Sequence, residues 1–287
     1  MKKYIDLLRP KHYIKNFLVL LPLVFGGRLL DTALLFKTAV GFAAFCSLSS
    51  LIYIINDIRD REQDALHPKK KNRPIASGQV KVSSAVTLGV IMAAVTAALS
   101  VFGRFGAGGW LCLVAYFIIN LGYSAGLKNV PILDVALLVS GFLLRVLFGS
   151  SITGISISGW LYLTVISVSF YMGFGKRRGE HRLSESDKRK VLVYYTKDFL
   201  DKNMQMFLTL SVVFYSLWSI GSEAGAASGN RLVWTVPLVI CICLKYSLTV
   251  EGNSDGDPVE VIFQDKVLIL LALLLAAVLF VLLYMIK

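Results

Sequence analysis

Residues 56–78 read NDIRDREQDALHPKKKNRPIASG and follow directly on a long apolar run. If the helix of that run continues, Asn56, Asp60 and Asp64 fall four residues apart on one stripe, with Asp57 one position round the helix. Neighbouring carboxylates repel one another, so such a stripe needs a cation. Oxygen ligands suit Mg²⁺, which also shares its coordination shell with substrate phosphates. The stretch therefore predicts a magnesium site on Asn56, Asp57, Asp60 and Asp64, with the three aspartates as catalytic residues. A solvated loop that caps a membrane helix is the plainer alternative.

The composition indicates a helical membrane protein. Of the 287 residues, 56% are hydrophobic, and the mean hydropathy of +0.67 is far above that of a soluble domain. Apolar runs predict about nine membrane spans, near residues 16–34, 38–56, 83–103, 108–126, 131–150, 158–175, 205–222, 232–250 and 267–286. We therefore expect an all-α, polytopic membrane protein, a single domain over residues 1–287 in which about nine transmembrane helices surround a central cavity. The first run is long and lacks a cleavage site, so no cleavable signal peptide is expected.

The basic residues are concentrated on one side of the predicted spans. The chain carries 30 Lys and Arg against 18 Asp and Glu, for a net charge of +12. Most of the cations fall in the N-terminal segment and in the segments 57–82 and 176–204. Because cytoplasmic loops are enriched in Lys and Arg, we place the N-terminus and these two predicted catalytic loops in the cytoplasm. The positive charge therefore indicates contact with anionic membrane lipids and substrate, and no nucleic-acid partner is expected.

The cysteines and histidines do not suggest a metal or redox site. We interpret Cys46, Cys112, Cys241 and Cys243, which all lie in apolar spans, as small apolar residues without a disulfide or a zinc ion. The three histidines do not show ligand spacing. The chain contains neither the G-x-x-x-x-G-K-[ST] phosphate loop nor the G-x-G-x-x-G fingerprint, so ATP hydrolysis and dinucleotide chemistry are not expected.

Further cations and polar side chains gather at the predicted cytoplasmic ends of the spans. Segment 9–16 is either a membrane-surface anchor or part of the site. Segment 176–182 is either a solvated charged loop or a phosphate site, since Arg binds phosphate in a forked geometry. Asp134 and Arg145 lie in or near apolar sequence, where an ionisable group indicates function. For Arg145 the alternative is that it only pairs with a neighbouring helix. We assign no role to the acidic segment 251–265. The predicted substrate-binding residues are Lys15, Asn56, Lys71, Arg73, Tyr123, Lys128, Arg145, Lys176, Arg177, Arg178 and Arg182.

Two stretches resemble a known family of membrane enzymes. Residues 56–64 (NDIRDREQD) followed by residues 72–78 (NRPIASG) look like the first Asp-rich motif of the UbiA superfamily of intramembrane prenyltransferases, and the predicted span pattern is similar over nearly the whole chain. The resemblance implies a helical fold in which Mg²⁺, held by two Asp-rich loops, binds the diphosphate of a polyprenyl donor. The second loop departs from this pattern, because residues 176–182 (KRRGEHR) stand where the family usually has Asp-x-x-x-Asp.

Other segments are similar to one branch of that superfamily, the decaprenyl-phosphate phosphoribosyltransferases. They are residues 9–16 (RPKHYIKN), 123–128 (YSAGLK), 141–145 (GFLLR) and 256–260 (GDPVE). The resemblance implies an enzyme of the bacterial cytoplasmic membrane. Such an enzyme transfers phosphoribose from phosphoribosyl pyrophosphate (PRPP) to a polyprenyl phosphate and releases pyrophosphate, which provides a precursor of cell-wall arabinose. One metal-binding stripe with many cations also suits the three anionic groups of these two substrates.

Two other functions stay open from the sequence. A transferase that moves a polyprenyl group from its diphosphate to an aromatic acceptor would use the same metal site, but the missing second carboxylate pair counts against it. A transporter or flippase for a lipid phosphate would explain intramembrane charges, but not a metal-type stripe on one face. The expected cofactor is Mg²⁺, and the expected partners are PRPP, a polyprenyl phosphate and membrane lipids. Whether the chain forms a homo-oligomer is left open.

Overall fold

The computed structural model describes residues 2–68, 70–181, 190–252 and 257–286, and every regular element in them is helical. The predicted all-α class is therefore confirmed. The chain divides into two compact units, so its organisation as a single domain stays a prediction. Unit 1 comprises Met1–Leu23, Leu29–Lys128 and Leu144–Ile155, and unit 2 comprises Val24–Arg28, Asn129–Leu143 and Ser156–Lys287.

Short connections join most of the helices. In chain order the α-helices are α1 (Lys2–Leu8), α2 (Leu21–Phe25), α3 (Thr32–Arg59), α4 (Arg61–Leu66), α5 (Val82–Phe102), α6 (Ala107–Ala125), α7 (Leu133–Thr153), α8 (Gly159–Glu180), α9 (Lys197–Gly221), α10 (Glu223–Ala227), α11 (Val236–Glu251), α12 (Pro258–Gln264) and α13 (Lys266–Phe280). The 3-10 helices are Pro10–Leu20, Lys70–Asn72, Leu127–Asn129, Lys190–Tyr194 and Arg231–Thr235, and Val281–Met285 continues α13 as a π-helix.

Within the described residues, seven helical segments are long and apolar enough to cross a membrane. They are Thr32–Arg59, Val82–Phe102, Ala107–Ala125, Leu133–Thr153, Lys197–Gly221, Arg231–Glu251 and Lys266–Met285. These segments agree with a polytopic membrane protein and with seven of the predicted spans. The predicted spans at 16–34 and 158–175 are not among them, so the predicted number of nine is approximate.

The predicted span at 16–34 is not one continuous helix. Helix α2 ends before Gly27, and α3 begins only at Thr32. Gly27 has a φ of 65°, a left-handed conformation that glycine adopts without steric cost. The side chain of Asp31 then accepts a hydrogen bond from the N–H of Leu34 and caps the new helix. The turn at Gly27 and the cap at Asp31 therefore interrupt a segment whose apolar composition predicts one continuous helix.

Helix α8 extends beyond the predicted span 158–175. It includes Lys176, Arg177 and Arg178, so these cations lie on a helix and not in a loop. The predicted catalytic loop 176–204 thus begins at the end of one helix and finishes inside another. With 22 residues α8 is long enough to cross the hydrocarbon core of a bilayer, but its polar and charged residues make it less apolar than the seven segments above.

An aromatic cluster forms the core of unit 1. Phe45 of α3 is fully buried, and its ring centroid lies 4.7 Å from that of Tyr116 and 5.4 Å from that of Phe148. The ring of Phe148 also meets that of Phe105 edge-on at 5.3 Å. Such pairs add roughly 0.5–1.5 kcal/mol each beyond the burial of their area. The cluster fixes α3, whose far end carries the acidic stretch.

The core of unit 2 fixes the end of α8 in the same way. Phe174 of α8 stacks on Phe207 of α9 with ring centroids 5.8 Å apart. The hydroxyl of Tyr171 donates a hydrogen bond to the backbone carbonyl of Cys243 at 2.7 Å and lies 2.6 Å from the hydroxyl of Ser247, both on α11. These contacts hold α8 against α9 and α11 just before its basic residues.

Gly149 offers a test of the packing in unit 1. A Cβ atom at this position would collide with the backbone carbonyl oxygen of Val19. Gly149→Ala should therefore lower the free energy of unfolding by about 1–3 kcal/mol, as overpacking does in other cores. Gly159→Ala is the matched control, because a Cβ there would meet no atom within 4 Å. Thermal unfolding of both variants in detergent measures the effect, and equal melting temperatures would contradict the packing described here.

Candidate active site

The acidic stretch lies where α3 ends and α4 begins. Asn56 and Asp57 are in the last turn of α3, Asp60 lies at the junction and Asp64 is in α4. The backbone N–H groups of Asp60 and Asp64 donate to the carbonyls of Asn56 and Asp60 at 2.9 and 2.8 Å, so the helical register continues across the junction. Asp57 and Asp64 are only 2% and 4% exposed. Carboxylates at this depth are unfavourable unless opposite charges pair with them.

Arg73 bridges these two buried carboxylates. Its Nη1 lies 3.1 Å from Oδ1 of Asp57 and 2.5 Å from Oδ2 of Asp64. A compact turn positions Arg73, because the N–H of Val80 donates to the carbonyl of Pro74 at 2.8 Å and the Val80 side chain is buried in the core. Arg73, which the sequence predicts as a phosphate ligand, therefore forms ion pairs with two of the predicted metal ligands, Asp57 and Asp64.

Arg9 reaches the carboxylate of Asp57 from the N-terminal segment. Its Nη2 lies 2.5 Å from Oδ1 of Asp57, and its guanidinium lies over the ring of Tyr53, 5.0 Å from the centroid. Arg9 has a φ of 54°, which persists in a non-glycine residue only where the surroundings hold it. Two residues earlier, Leu7 is fully buried in a cluster with Ile54 and Val80. The sequence leaves segment 9–16 open as part of the site but does not single out Arg9, although its place before Pro10 signals a departure from helical geometry.

The end of α6 and the turn that follows it complete the cluster. Nζ of Lys128 lies 3.2 Å from Oδ2 of Asp60, and the hydroxyl of Ser124 donates to the side-chain oxygen of Asn56. Each of the three aspartates is thus paired with a cation, and the three cations come from three different segments of unit 1. The cluster balances its negative and positive charges.

Arg145 belongs to a second polar group inside unit 1. Its Nε donates to Oδ1 of Asn16 at 2.7 Å, and its Nη2 donates to the hydroxyl of Tyr116 at 2.8 Å. The guanidinium also lies 5.0 Å from the ring centroid of Phe45. At 4% exposure Arg145 serves to join helices, and its predicted contact with substrate stays a prediction.

The structure does not test the substrate contacts of three further predicted ligands of unit 1. Lys71 is exposed on the 3-10 helix Lys70–Asn72. Lys15 and Tyr123 are half-buried. Their assignment to substrate stays a prediction.

In unit 2, Arg177 lies in a buried network of charges. Its Nε donates to Oδ2 of Asp134 at 2.6 Å, and its Nη1 donates to Oε2 of Glu180 at 2.8 Å. The Tyr195 hydroxyl donates to Oδ1 of Asp134 at 2.5 Å and accepts the N–H of Ile132 at the same distance. Burial, and secondly the hydrogen bond to Asp134, raise the pKa of Tyr195 well above its ordinary value. Arg177 therefore binds two carboxylates of its own unit, although the sequence presents it as a phosphate ligand.

The cations on either side of Arg177 have less buried partners. Nζ of Lys176 lies 2.6 Å from Oδ2 of Asp257, and Nε of Arg178 lies 2.5 Å from Oδ1 of Asp201, whose side chain is 39% exposed. Arg182, also predicted as a ligand, lies outside the described residues. Arg177 and Arg178 are thus both buried, at 0% and 6% exposure, and they differ in their partners: those of Arg177 are buried, whereas that of Arg178 is exposed.

Asp265, the last residue of the acidic segment 251–265, has a structural role. Asp265 caps α13 by accepting hydrogen bonds from the N–H groups of Val267 and Leu268. Bonds from Lys245 and then Thr249 lower the pKa of the Asp265 carboxyl to about 2. The carboxylate therefore holds the start of α13, in a segment for which the sequence suggests no role.

The carboxylate and amide oxygens of Asn56, Asp57, Asp60 and Asp64 are of the chemical type that a hard divalent cation prefers. Their side chains are not arranged around a common point as metal ligands would be. Among the residues that the structure describes, no group of three or more acidic, His or Cys side chains is placed to hold a metal ion. Arg73 lies between Asp57 and Asp64 where an ion could otherwise join them. An ion at this cluster would therefore have to exchange places with the arginine.

The chain belongs to the UbiA prenyltransferase family, whose sequence model matches residues 18–264. Similar proteins include the decaprenyl-phosphate phosphoribosyltransferase of Corynebacterium glutamicum, which is 37% identical over 94% of this chain and 83% of its own length. The protein of the same name from Mycobacterium tuberculosis is 34% identical over 93% of this chain and 89% of its own length. A solved UbiA homolog from Archaeoglobus fulgidus, bound to GPP and Mg²⁺, aligns with a TM-score of 0.73 and 20% identity over 98% of this chain and 99% of its own. At that identity the likeness shows the fold.

The buried network of unit 2 predicts a strong effect of Arg177 on stability. Arg177→Met would remove the guanidinium that pairs with the buried carboxylates of Asp134 and Glu180, and breaking a buried pair in this way typically costs about 3–5 kcal/mol. We expect a large drop in melting temperature in detergent. Lys202→Met is the control, because Lys202 and Asp198 form an exposed pair, and such pairs contribute little. Arg177→Met with the melting temperature of the wild type would mean that the network does not support the fold.

Proposed function

We propose that the chain is a polyprenyl-phosphate phosphoribosyltransferase. It moves the 5-phosphoribosyl group of PRPP to a polyprenyl phosphate and releases pyrophosphate, which provides polyprenyl-phosphoryl 5-phosphoribose for cell-wall arabinose. The observation that carries the proposal is the cluster at the end of α3, where three aspartates meet Arg9, Arg73 and Lys128. Such a cluster offers oxygen ligands for a metal and cations for phosphates at one place. The name of relatives at 34–37% identity, decaprenyl-phosphate phosphoribosyltransferase, supports a phosphoribosyl group as the group transferred and a polyprenyl phosphate as the acceptor.

Mg²⁺ is the proposed cofactor, held by Asp57 and Asp60 together with Asn56 or Asp64. These side chains supply the hard oxygen donors that Mg²⁺ prefers. When bound, the ion would neutralise negative charge on the departing pyrophosphate. Arg73 and the other cations of the cluster bind the phosphate oxygens, for which the guanidinium fork has matching geometry.

The proposed reaction is a displacement at C1 of the ribose. The bond between C1 and the pyrophosphate oxygen breaks, C1 becomes oxocarbenium-like, and an oxygen of the lipid phosphate forms the new bond from the opposite face. We therefore expect inversion at C1. The lipid phosphate is already ionised at neutral pH, so no side chain has to act as a general base. The chain contributes mainly positioning and electrostatic stabilisation.

The cations at the end of α8 are proposed to bind phosphate without a metal. Among the described residues, Asp201 engages only Nε of Arg178, so the forked edge of this guanidinium is the part proposed to contact a phosphate. Lys176 and Arg182 are proposed to assist as further cations. Arg177 differs from them, because two buried carboxylates hold it in place.

A second candidate function is transfer of a prenyl group from its diphosphate to an aromatic acceptor. Membership of the UbiA prenyltransferase family favours it, as does a fold shared with a homolog bound to GPP and Mg²⁺. The basic residues 176–178 at the end of α8 weigh against it. The family resemblance implies a second pair of carboxylates at this position, and the chain has cations there instead. A single assay can decide between the two functions.

We also propose that the enzyme lies in the bacterial cytoplasmic membrane with its N-terminus and active site facing the cytoplasm. Seven segments are long and apolar enough to span a membrane. The orientation rests on the bias of Lys and Arg toward one side and on the cytosolic supply of PRPP.

The assay uses purified protein with labelled PRPP and a polyprenyl phosphate. We expect pyrophosphate release and a labelled lipid product only when both substrates are present. With a polyprenyl diphosphate and 4-hydroxybenzoate we expect no product. If the aromatic acceptor is prenylated and PRPP is not consumed, the second candidate function is correct.

The aspartates of the cluster should be essential for turnover. Asp57→Asn or Asp60→Asn should reduce kcat at least about a hundredfold, on the scale of losing a principal electrostatic stabiliser. A chelator should abolish transfer, and added Mg²⁺ should restore it. Glu62→Gln is the control on the same helix junction, because the Glu62 side chain is 85% exposed and should keep wild-type rates. Full activity of a folded Asp57→Asn enzyme would exclude the proposed metal site.

A further inference from the structure

In the ion pairs that Arg73 forms with Asp57 and Asp64, the arginine side chain can move and the two carboxylates cannot. Asp57 and Asp64 are on helices and their side chains are 2% and 5% exposed, whereas Arg73 lies on a turn and is 27% exposed. Arg9 resembles Arg73 in this respect, with 21% exposure beside the same Asp57. The long arginine side chains can therefore leave the carboxylates, while the carboxylates stay in place.

Arg73 and a divalent cation compete for the same oxygens. A metal ion bound by Asp57 and Asp64 needs the lone pairs that Nη1 of Arg73 now occupies at 3.1 and 2.5 Å. Displacing the arginine without replacing its charge leaves buried carboxylates uncompensated, which is strongly unfavourable. Displacement by a cation keeps the carboxylates neutralised and releases the arginine toward solvent.

We propose that Arg73 is an internal counter-ion that couples the binding of metal and of pyrophosphate at this cluster. Before substrate binds, Arg73 neutralises Asp57 and Asp64 and lowers their affinity for a divalent cation. A ligand that brings a cation and a phosphate anion together replaces both halves of the ion pair at once. The inference rests on the proposed function for the metal at this cluster and for the identity of the anion.

This coupling has a thermodynamic consequence that can be measured without turnover. If Arg73 competes with the metal, its removal must raise the affinity of the carboxylates for a divalent cation in the absence of substrate. If Arg73 only binds substrate, its removal leaves that affinity unchanged. If Arg73 only holds the fold, its removal lowers the affinity, because the ligands lose their fixed positions. The sign of the change therefore separates the three roles.

The experiment titrates the full-length protein in detergent with Mn²⁺, a spectroscopic substitute for Mg²⁺, and follows free Mn²⁺ by electron paramagnetic resonance. No PRPP or lipid is present. We expect Arg73→Gln to bind Mn²⁺ about tenfold more tightly than the wild type, within the usual range of coupling between sites. Arg73→Lys, which keeps the charge but loses the guanidinium fork, should show a smaller increase.

Arg61→Gln is the matched control for loss of one positive charge nearby. Arg61 lies on α4 and pairs with the exposed Glu62, so this variant should keep wild-type affinity for Mn²⁺. An affinity of Arg73→Gln that equals or falls below that of the wild type overturns the proposal. Should Arg73→Gln fail to fold, the same criterion applies to Arg73→Lys and to Arg9→Gln. Because the titration uses no donor or acceptor, failure of phosphoribosyl transfer in the activity assay would leave its result intact.

Discussion

Carboxylates buried at the end of α3 need cations, and much of unit 1 is arranged to supply them. Asp57 and Asp64 are nearly inaccessible to solvent, where an unpaired charge costs several kcal/mol. Arg9 and Arg73 reach Asp57 from segments on either side of it in sequence, 48 and 16 residues away. The N-terminal segment and the turn after Arg73 are therefore held by the same charges that form the site. Helix packing brings these segments close to α3, and the ion pairs fix the positions of Arg9 and Arg73 beside Asp57.

Local patterns in the sequence predict the parts of this molecule that depend on local physics. The helical class, most of the membrane segments and the acidic stretch follow from apolar run length and from spacing along a helix. The helix start at Thr32 was not predicted, because one turn at Gly27 and one cap at Asp31 change little in a long apolar run. Arg9 is not singled out within segment 9–16 for a different reason. Its contact depends on a left-handed backbone and on a partner 48 residues away.

The basic end of α8 shows the limit of reading charge density from sequence. Arg177 and Arg178 are adjacent, and both resemble phosphate ligands as members of an Arg-rich stretch. The structure gives Arg177 two buried carboxylate partners and gives Arg178 a partner near the surface. Which role each residue takes depends on the direction in which a helix points its side chains, and on distant partners such as Asp134. The position of Asp134 so close to apolar sequence indicates a functional role, and its pairing with Arg177 is seen only in the structure.

A balanced cluster also explains how a basic site at a membrane can avoid the phosphates that surround it. An anionic lipid head group brings a phosphate without a metal cation. A lone phosphate that drew Arg73 away would leave Asp57 and Asp64 without compensation, so the protein resists that exchange. A cation alone would leave the arginine without its carboxylates, which is less costly because the arginine is partly exposed. Only a ligand that carries both signs satisfies every group, and a metal complex of a pyrophosphate is such a ligand. If the proposed metal and pyrophosphate bind here, the paired charges of the cluster disfavour a lone phosphate more than they disfavour a metal-bound polyphosphate.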